Sequence, residues 1–177
     1  YGMQLGVAVL GGRIRANPLG SEIAIARNIQ INDTGEKHAL YKNKPTLFDA
    51  LCMHRDEVQH TGHAVDILSG NSHCAIQAVA AKASDIRFWG VQYHPELHFS
   101  DIARCLERSD FMDIFEAPSA IALNAPAGLS REEIIHDFHH LDEDKYRAAL
   151  KERYNLSQTV FKRSVHECEL SNWLDSF

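Results

Sequence analysis

Apolar positions recur with strand-like periods in the first half of the chain and with helical spacing in the second. Between residues 22 and 32, Ile23, Ile25, Ile29 and Ile31 all fall on odd positions, which predicts a strand with one apolar face. Further strands are predicted over 51–58, 64–68, 75–80 and 86–93, separated by turn residues such as Ser69-Gly70-Asn71-Ser72. The last run, Ile86-Arg87-Phe88-Trp89-Gly90-Val91-Gln92-Tyr93, is bulky enough to predict a central or near-central strand. Residues 1–10 predict a short helix closed at Gly11-Gly12, where a left-handed cap favours glycine. After Glu96 the pattern turns helical. Ser100 is expected to cap a helix reaching about Phe115, followed by a loop over 118–128. Ser130-Arg131-Glu132-Glu133 is a capping box, Ser at the cap and Glu three residues on satisfying each other's amides. It opens a helix expected to run to about Tyr154, with another over 157–173. The plan is an α/β first half and an all-helical second half.

Length and composition narrow the class. At about 150 residues per domain, 177 residues suit one domain with a real core. A hydrophobic share of 45% with 24% charged residues excludes intrinsic disorder and collagen-like repeats. No apolar run approaches the ~18 residues of a membrane span, and the first ten residues show no basic leader. Cys52, Cys74, Cys105 and Cys168 are scattered without a CxxC pair, as in a reducing compartment. The expectation is a cytoplasmic protein that engages no membrane. The net charge of −6 arises wholly after Glu96, where fifteen acidic residues face nine basic ones. That imbalance argues against binding a phosphate backbone, so no nucleic-acid partner is expected.

The chemistry concentrates in Gly90-Val91-Gln92-Tyr93-His94-Pro95-Glu96. In an extended segment residues two apart share a side, so His94 and Glu96 can serve one site at a strand end. Pro95 restricts His94 to extended geometry. A carboxylate beside an imidazole fixes its tautomer and stabilises its charged form, which is the base and orienter half of a nucleophilic triad. His-Pro-Glu alone also occurs in surface turns; its place at the end of an apolar strand favours catalysis.

Gly-Val-Gln-Tyr-His-Pro-Glu resembles the His/Glu signature of class I glutamine amidotransferases. Tyr1-Gly2-Met3-Gln4-Leu5 is similar to the segment that follows their nucleophilic cysteine, in the pattern Gly-x-Cys-x-Gly-x-Gln. Gly11-Gly12, Asn17-Pro18-Leu19-Gly20-Ser21-Glu22 and His54-Arg55-Asp56-Glu57-Val58 match in order and rough spacing. The likeness covers residues 1–96 and is nearest to the amidotransferase domain of GMP synthase. It implies a flavodoxin-like, three-layer α/β domain, its C-terminal part over 1–100, with an acidic helical extension over 101–177 packed on it. It also implies hydrolysis of the glutamine side-chain amide by a Cys-His-Glu triad, with ammonia delivered to a synthetase or other acceptor domain or subunit. His94 would be the base and Glu96 its orienter. The amide of Tyr1 would supply half of the oxyanion hole, Gln4 would touch substrate, and Met53, Arg55 and Asp56 would hold the amino-acid end. No cofactor and no metal are implied.

The cysteine of that pattern would stand immediately before Tyr1, and none of Cys52, Cys74, Cys105 or Cys168 lies in an equivalent context. The expectation is therefore a C-terminal piece of a longer protein. Arg55 departs from the glycine frequent there in relatives, which bears on the substrate pocket. Two alternatives stay open: a γ-glutamyl hydrolase or peptidase using the same triad, and a non-catalytic regulatory homologue. His136, His139 and His140 share a predicted helix face, and a solvated surface is the expectation there.

Overall fold

The computed structural model describes residues 1–83, 86–108, 126 and 128–176. Helix α1 (Gly2–Val9) leads into β1 (Arg13–Ala16), β2 (Glu22–Ile31), α2 (Asp33–Glu36) and a 3-10 turn (Ala39–Tyr41). Strands β3 (Leu47–His54), β4 (Asp56–His60), β5 (Val65–Gly70), β6 (Ala78–Ala83) and β7 (Ile86–Val91) follow. Helices α3 (Phe99–Glu107), α4 (Arg131–His140), α5 (Asp144–Arg153), α6 (Arg163–His166) and α7 (Cys168–Leu174) complete the chain, with a 3-10 turn (Gln158–Val160) before α6. Five strands form a sheet in the order β3-β2-β5-β6-β7, every pair antiparallel, while β1 and β4 pair separately. The sheet curls until its two edges approach: beyond β7, the amide of His94 donates to Leu51 O of β3 at 2.7 Å. Helices cover both faces, giving the layered α/β arrangement expected.

Local signals hold. Gly11 takes φ +86°, and the amides of Gly11 and Gly12 return to the carbonyls of Ala8 and Val7, closing α1. The capping box forms: Ser130 Oγ accepts from Glu133 N–H at 3.2 Å and Glu133 Oε2 accepts from Ser130 N–H at 2.8 Å.

The isoleucine pattern of β2 does not. Ala26 faces Ala50 and Ile29 faces Phe48, so β2 carries one residue more than β3 at this point. Asn28 takes φ +52°, its amide held by Asp49 Oδ1 at 2.9 Å. One extra residue turns every later side chain to the opposite face. Ile23 and Ile25 therefore pack with Leu51 under the C-terminal helices, whereas Ile29 and Ile31 pack with Phe48, Leu40 and Leu68 on the other side.

The predicted strand 51–58 is two strands in different sheets, broken at Arg55, whose carbonyl accepts the amide of Asn17. The strand expected near the centre, β7, is an edge of the sheet among the described residues. Its bulk meets α1 instead. A Cβ at Gly6 would come within 2.3 Å of the Phe88 ring, and one at Gly90 within 2.8 Å of Met3.

The helices also differ from expectation. α3 starts after His98, whose amide is held by the Asp101 carboxylate at 2.9 Å; Ser100 lies inside the first turn and donates its amide to Asp142. The expected continuation to Phe115 and nearly all of the expected loop over 118–128 lie outside the described residues. The helix expected from 130 to about 154 breaks after His140, so that Phe138, Leu141 and Leu150 can all reach one core. The helix expected over 157–173 is three short pieces, because Thr159 Oγ1 clips the chain to Asp49 of β3. Phe99, Ile102, Leu106 and Phe138 are fully buried against β2 and β3. At about 1.5–3 kcal/mol for each such side chain, this burial outweighs helix propensity in holding α3 and α4.

Candidate active site

Past Val91 the chain leaves the ladder, and at Pro95 it has no amide to donate. Gln92 N–H donates to Gln77 O and His94 N–H to Leu51 O, so the segment bridges two strands before turning. His94 Nδ1 lies 2.7 Å from Glu96 Oε1; the two meet across a turn at Pro95–Glu96, not along the extended segment expected. Burial pushes the Glu96 carboxyl up, but the bond from His94, its own amide and the charges of His94 and His166 outweigh it and hold it below the ordinary value. An ionised carboxylate can only accept, so Nδ1 carries the proton and Nε2 is left as the basic nitrogen.

The first turn of α1 reaches the same region. Its contacts pair Gly6 with Phe88 and Met3 with Gly90, so α1 runs antiparallel to β7 and aims its N-terminus toward the His94 end. Tyr1 caps the helix without a side-chain bond and is 89% exposed. Gln4 Nε2 and Gln92 Nε2 each donate to the Asp56 carbonyl at 2.9 Å, and His54 Nδ1 lies 3.1 Å from it. One backbone oxygen thus ties together α1, the segment after β7 and the bend between β3 and β4. Of the residues expected to touch substrate, Gln4 and Asp56 are joined directly. Arg55 and Asp56 are exposed on that bend, and Met53 is half-buried at the end of β3.

The bend is backed by a buried polar cluster that sequence patterns did not reveal. Glu22 Oε2 accepts from His54 Nε2 at 2.9 Å and Gln77 Nε2 at 2.7 Å, and Oε1 accepts from Asn71 Nδ2 at 2.7 Å. Both ring nitrogens of His54 therefore face oxygen acceptors. Burial raises the Glu22 carboxyl, yet the three donors and the His54 charge bring it below the ordinary value. The available signal was a carboxylate heading the otherwise apolar run Glu22-Ile23-Ala24-Ile25.

The remaining candidates lie elsewhere. Burial pushes up the thiols of Cys52 and Cys168 and takes that of Cys74 to about 12, the opposite of an activated nucleophile. His139 pairs with Glu107, and His140 Nδ1 bonds His136 O. Among the described residues no group of three His, Cys, Asp or Glu is arranged to hold a metal, and no helix is long and apolar enough to cross a membrane. A cleft of about 710 Å³, lined by Arg27, Asp49, His73 and Asn155 among others, reaches Glu22 and Asn71 of the buried polar cluster but not the His94–Glu96 pair: none of Gln4, His94, Glu96 or residues 53–56 lines it.

Residues 1–113 match the family described as glutamine amidotransferase class-I. A gamma-glutamyl-L-1-hydroxyisopropylamide hydrolase from a Pseudomonas species is 28% identical over 190 residues, covering 99% of this chain and 58% of its own length. A glutamine-hydrolyzing GMP synthase protein of Methanococcus aeolicus is 33% identical over 96 residues, 52% of this chain and 50% of its own. Among solved structures, a glutamine amidotransferase from Thermotoga maritima superposes with a TM-score of 0.53 at 16% identity, covering 95% of this chain and 59% of that one. One from Methylobacillus flagellatus gives 0.53 at 18%, covering 98% and 59%. These two share the fold. The chain spans about half to three fifths of the length of the curated relatives it matches.

Proposed function

Because this chain belongs to the class I glutamine amidotransferase family, we propose that the full protein hydrolyses a γ-glutamyl amide through a Cys-His-Glu triad, glutamine being the substrate. The observation that carries the reading is the His94–Glu96 pair at 2.7 Å, set at the strand end toward which α1 points. The nucleophile is a cysteine immediately before Tyr1. There the amides of the first turn of α1 and an adjacent imidazolium favour the thiolate.

The thiolate attacks the side-chain carbonyl carbon, and the oxyanion that forms takes a hydrogen bond from the amide of Tyr1. His94 passes the thiol proton from Nε2 to the departing nitrogen, releasing ammonia, while Glu96 holds Nδ1–H. Water then attacks the thioester with His94 as base, and glutamate leaves. Gln4 and the 53–56 bend hold the amino-acid end. Arg55 and Asp56, exposed and opposite in charge, suit its carboxylate and ammonium. Ammonia passes to a synthetase-type acceptor, in keeping with the GMP synthase relatives.

A second reading has its own support. The Pseudomonas hydrolase aligns with 99% of this chain, helical segment included, whereas the Methanococcus aeolicus GMP synthase protein aligns with 52%. The same triad would then release a hydroxyalkylamine from a γ-glutamyl hydroxyalkylamide. Turnover of glutamine and of γ-glutamyl-L-1-hydroxyisopropylamide by the full-length protein, followed by glutamate release, separates the two. Inertness toward both refutes the proposed reaction.

A further inference from the structure

His94 and Glu96 occupy a turn tied to the sheet by one backbone bond, His94 N–H to Leu51 O, yet a near-attack geometry tolerates little play. Its flanks are held by the far end of the chain. On one side Tyr93, 1% exposed, points inward and donates its hydroxyl to Glu169 Oε1 of α7 at 2.5 Å. On the other, His166 Nε2 of α6 donates to Leu97 O at 2.8 Å. Tyr93 and Leu97 are the first residues outside the His94-Pro95-Glu96 triplet, and His166 and Glu169 lie on consecutive short helices. Glu169 is itself fixed: Lys44 Nζ lies 2.8 Å from its carboxylate and donates to Val165 O at 2.6 Å.

We infer that the C-terminal helices position the catalytic pair, Glu169 acting through Tyr93 and His166 through Leu97 to hold the His94–Glu96 turn from both flanks. The inference rests on the triad reading above. Stability alone is a poor reason for this arrangement. A buried ion pair such as Lys44–Glu169 contributes little net stabilisation compared with apolar residues of equal volume. It does place a carboxylate where the Tyr93 hydroxyl must meet it. Glu169 and His166 are positioning residues and touch no reacting atom.

Tyr93→Phe tests this while leaving the Lys44–Glu169 pair in place. In the full-length protein it should unfold cooperatively, lower kcat about tenfold and leave KM within about twofold, as expected for a misaligned base with intact substrate contacts. The Nδ1 proton of His94, shifted downfield by its bond to Glu96, should broaden or move upfield in ¹H–¹⁵N spectra. Glu169→Gln should move both readouts further; if that variant does not fold, Tyr93→Phe decides alone. Wild-type kcat together with an unchanged His94 resonance in Tyr93→Phe overturns the inference. A wild-type protein inert toward γ-glutamyl amides would refute the reaction and not the clamp, because the resonance needs no turnover.

Discussion

Replacing Glu22 with alanine should be among the most damaging single changes in the first half of the chain. The carboxylate accepts from His54, Asn71 and Gln77, and the three donors do not suffer equally. Asn71 Nδ2 keeps Arg27 O at 3.0 Å and Gln77 Nε2 keeps a weak bond to Asn71 Oδ1 at 3.3 Å, but His54 Nε2 is orphaned. One orphaned buried donor and two weakened bonds to a charge amount to about 3–5 kcal/mol. For a chain of this size that is a melting-temperature loss of roughly 6–20 °C. The pH dependence follows with its sign. Burial alone would raise the Glu22 carboxyl, but its bonds lower it below the ordinary 4.5, so near and below that value the unfolded chain binds the extra proton. The stabilisation is present above the ordinary value and is lost as pH falls through the folded one. Chemical unfolding of wild type and Glu22→Gln between about pH 7 and pH 3 should therefore show a gap that narrows on acidification. A gap independent of pH, or an alanine variant within about 1 kcal/mol of wild type, would refute the reasoning.

Three further outcomes are expected. In the full-length protein His94→Ala should cut amide hydrolysis by roughly three orders of magnitude or more, and Glu96→Gln by less, in steady-state assays; near-normal turnover by the first removes the triad. A glutamine-analogue electrophile should label the cysteine preceding Tyr1 and, by peptide mass spectrometry, none of Cys52, Cys74, Cys105 or Cys168; label on any of these four contradicts the assigned nucleophile. Lys44→Met should cost about 3–5 kcal/mol by stranding the Glu169 carboxylate, and adding Glu169→Leu should recover most of it in denaturant titrations. Additive losses would show that the pair is not the source of the penalty.

What the sequence determined by itself was local. Gly11 closes α1 and the Ser130–Glu133 box opens α4, because the bonds that satisfy those helix ends lie within a few residues. His94 and Glu96 are close in sequence and meet locally as well, though across a turn at Pro95–Glu96 and not along the extended segment expected. The tertiary structure decided whatever depended on partners distant in the chain. The bulge at Asn28 is held by Asp49, and it sends Ile29 and Ile31 to the face opposite Ile23 and Ile25, which periodicity in one strand does not encode. β7 is an edge among the described residues, and its bulky face is taken up by α1, with glycine at the contacts, not by a central place in the sheet. The uniform helical spacing after Ser130 was cut into short pieces where side chains had to reach one core and Thr159 had to reach β3. Glu22 with His54, and Tyr93 with Glu169, are polar pairs formed across 32 and 76 residues, and only burial of both partners makes them strong. A polar residue's neighbours in sequence carry no record of the distant group that will satisfy it once water is excluded.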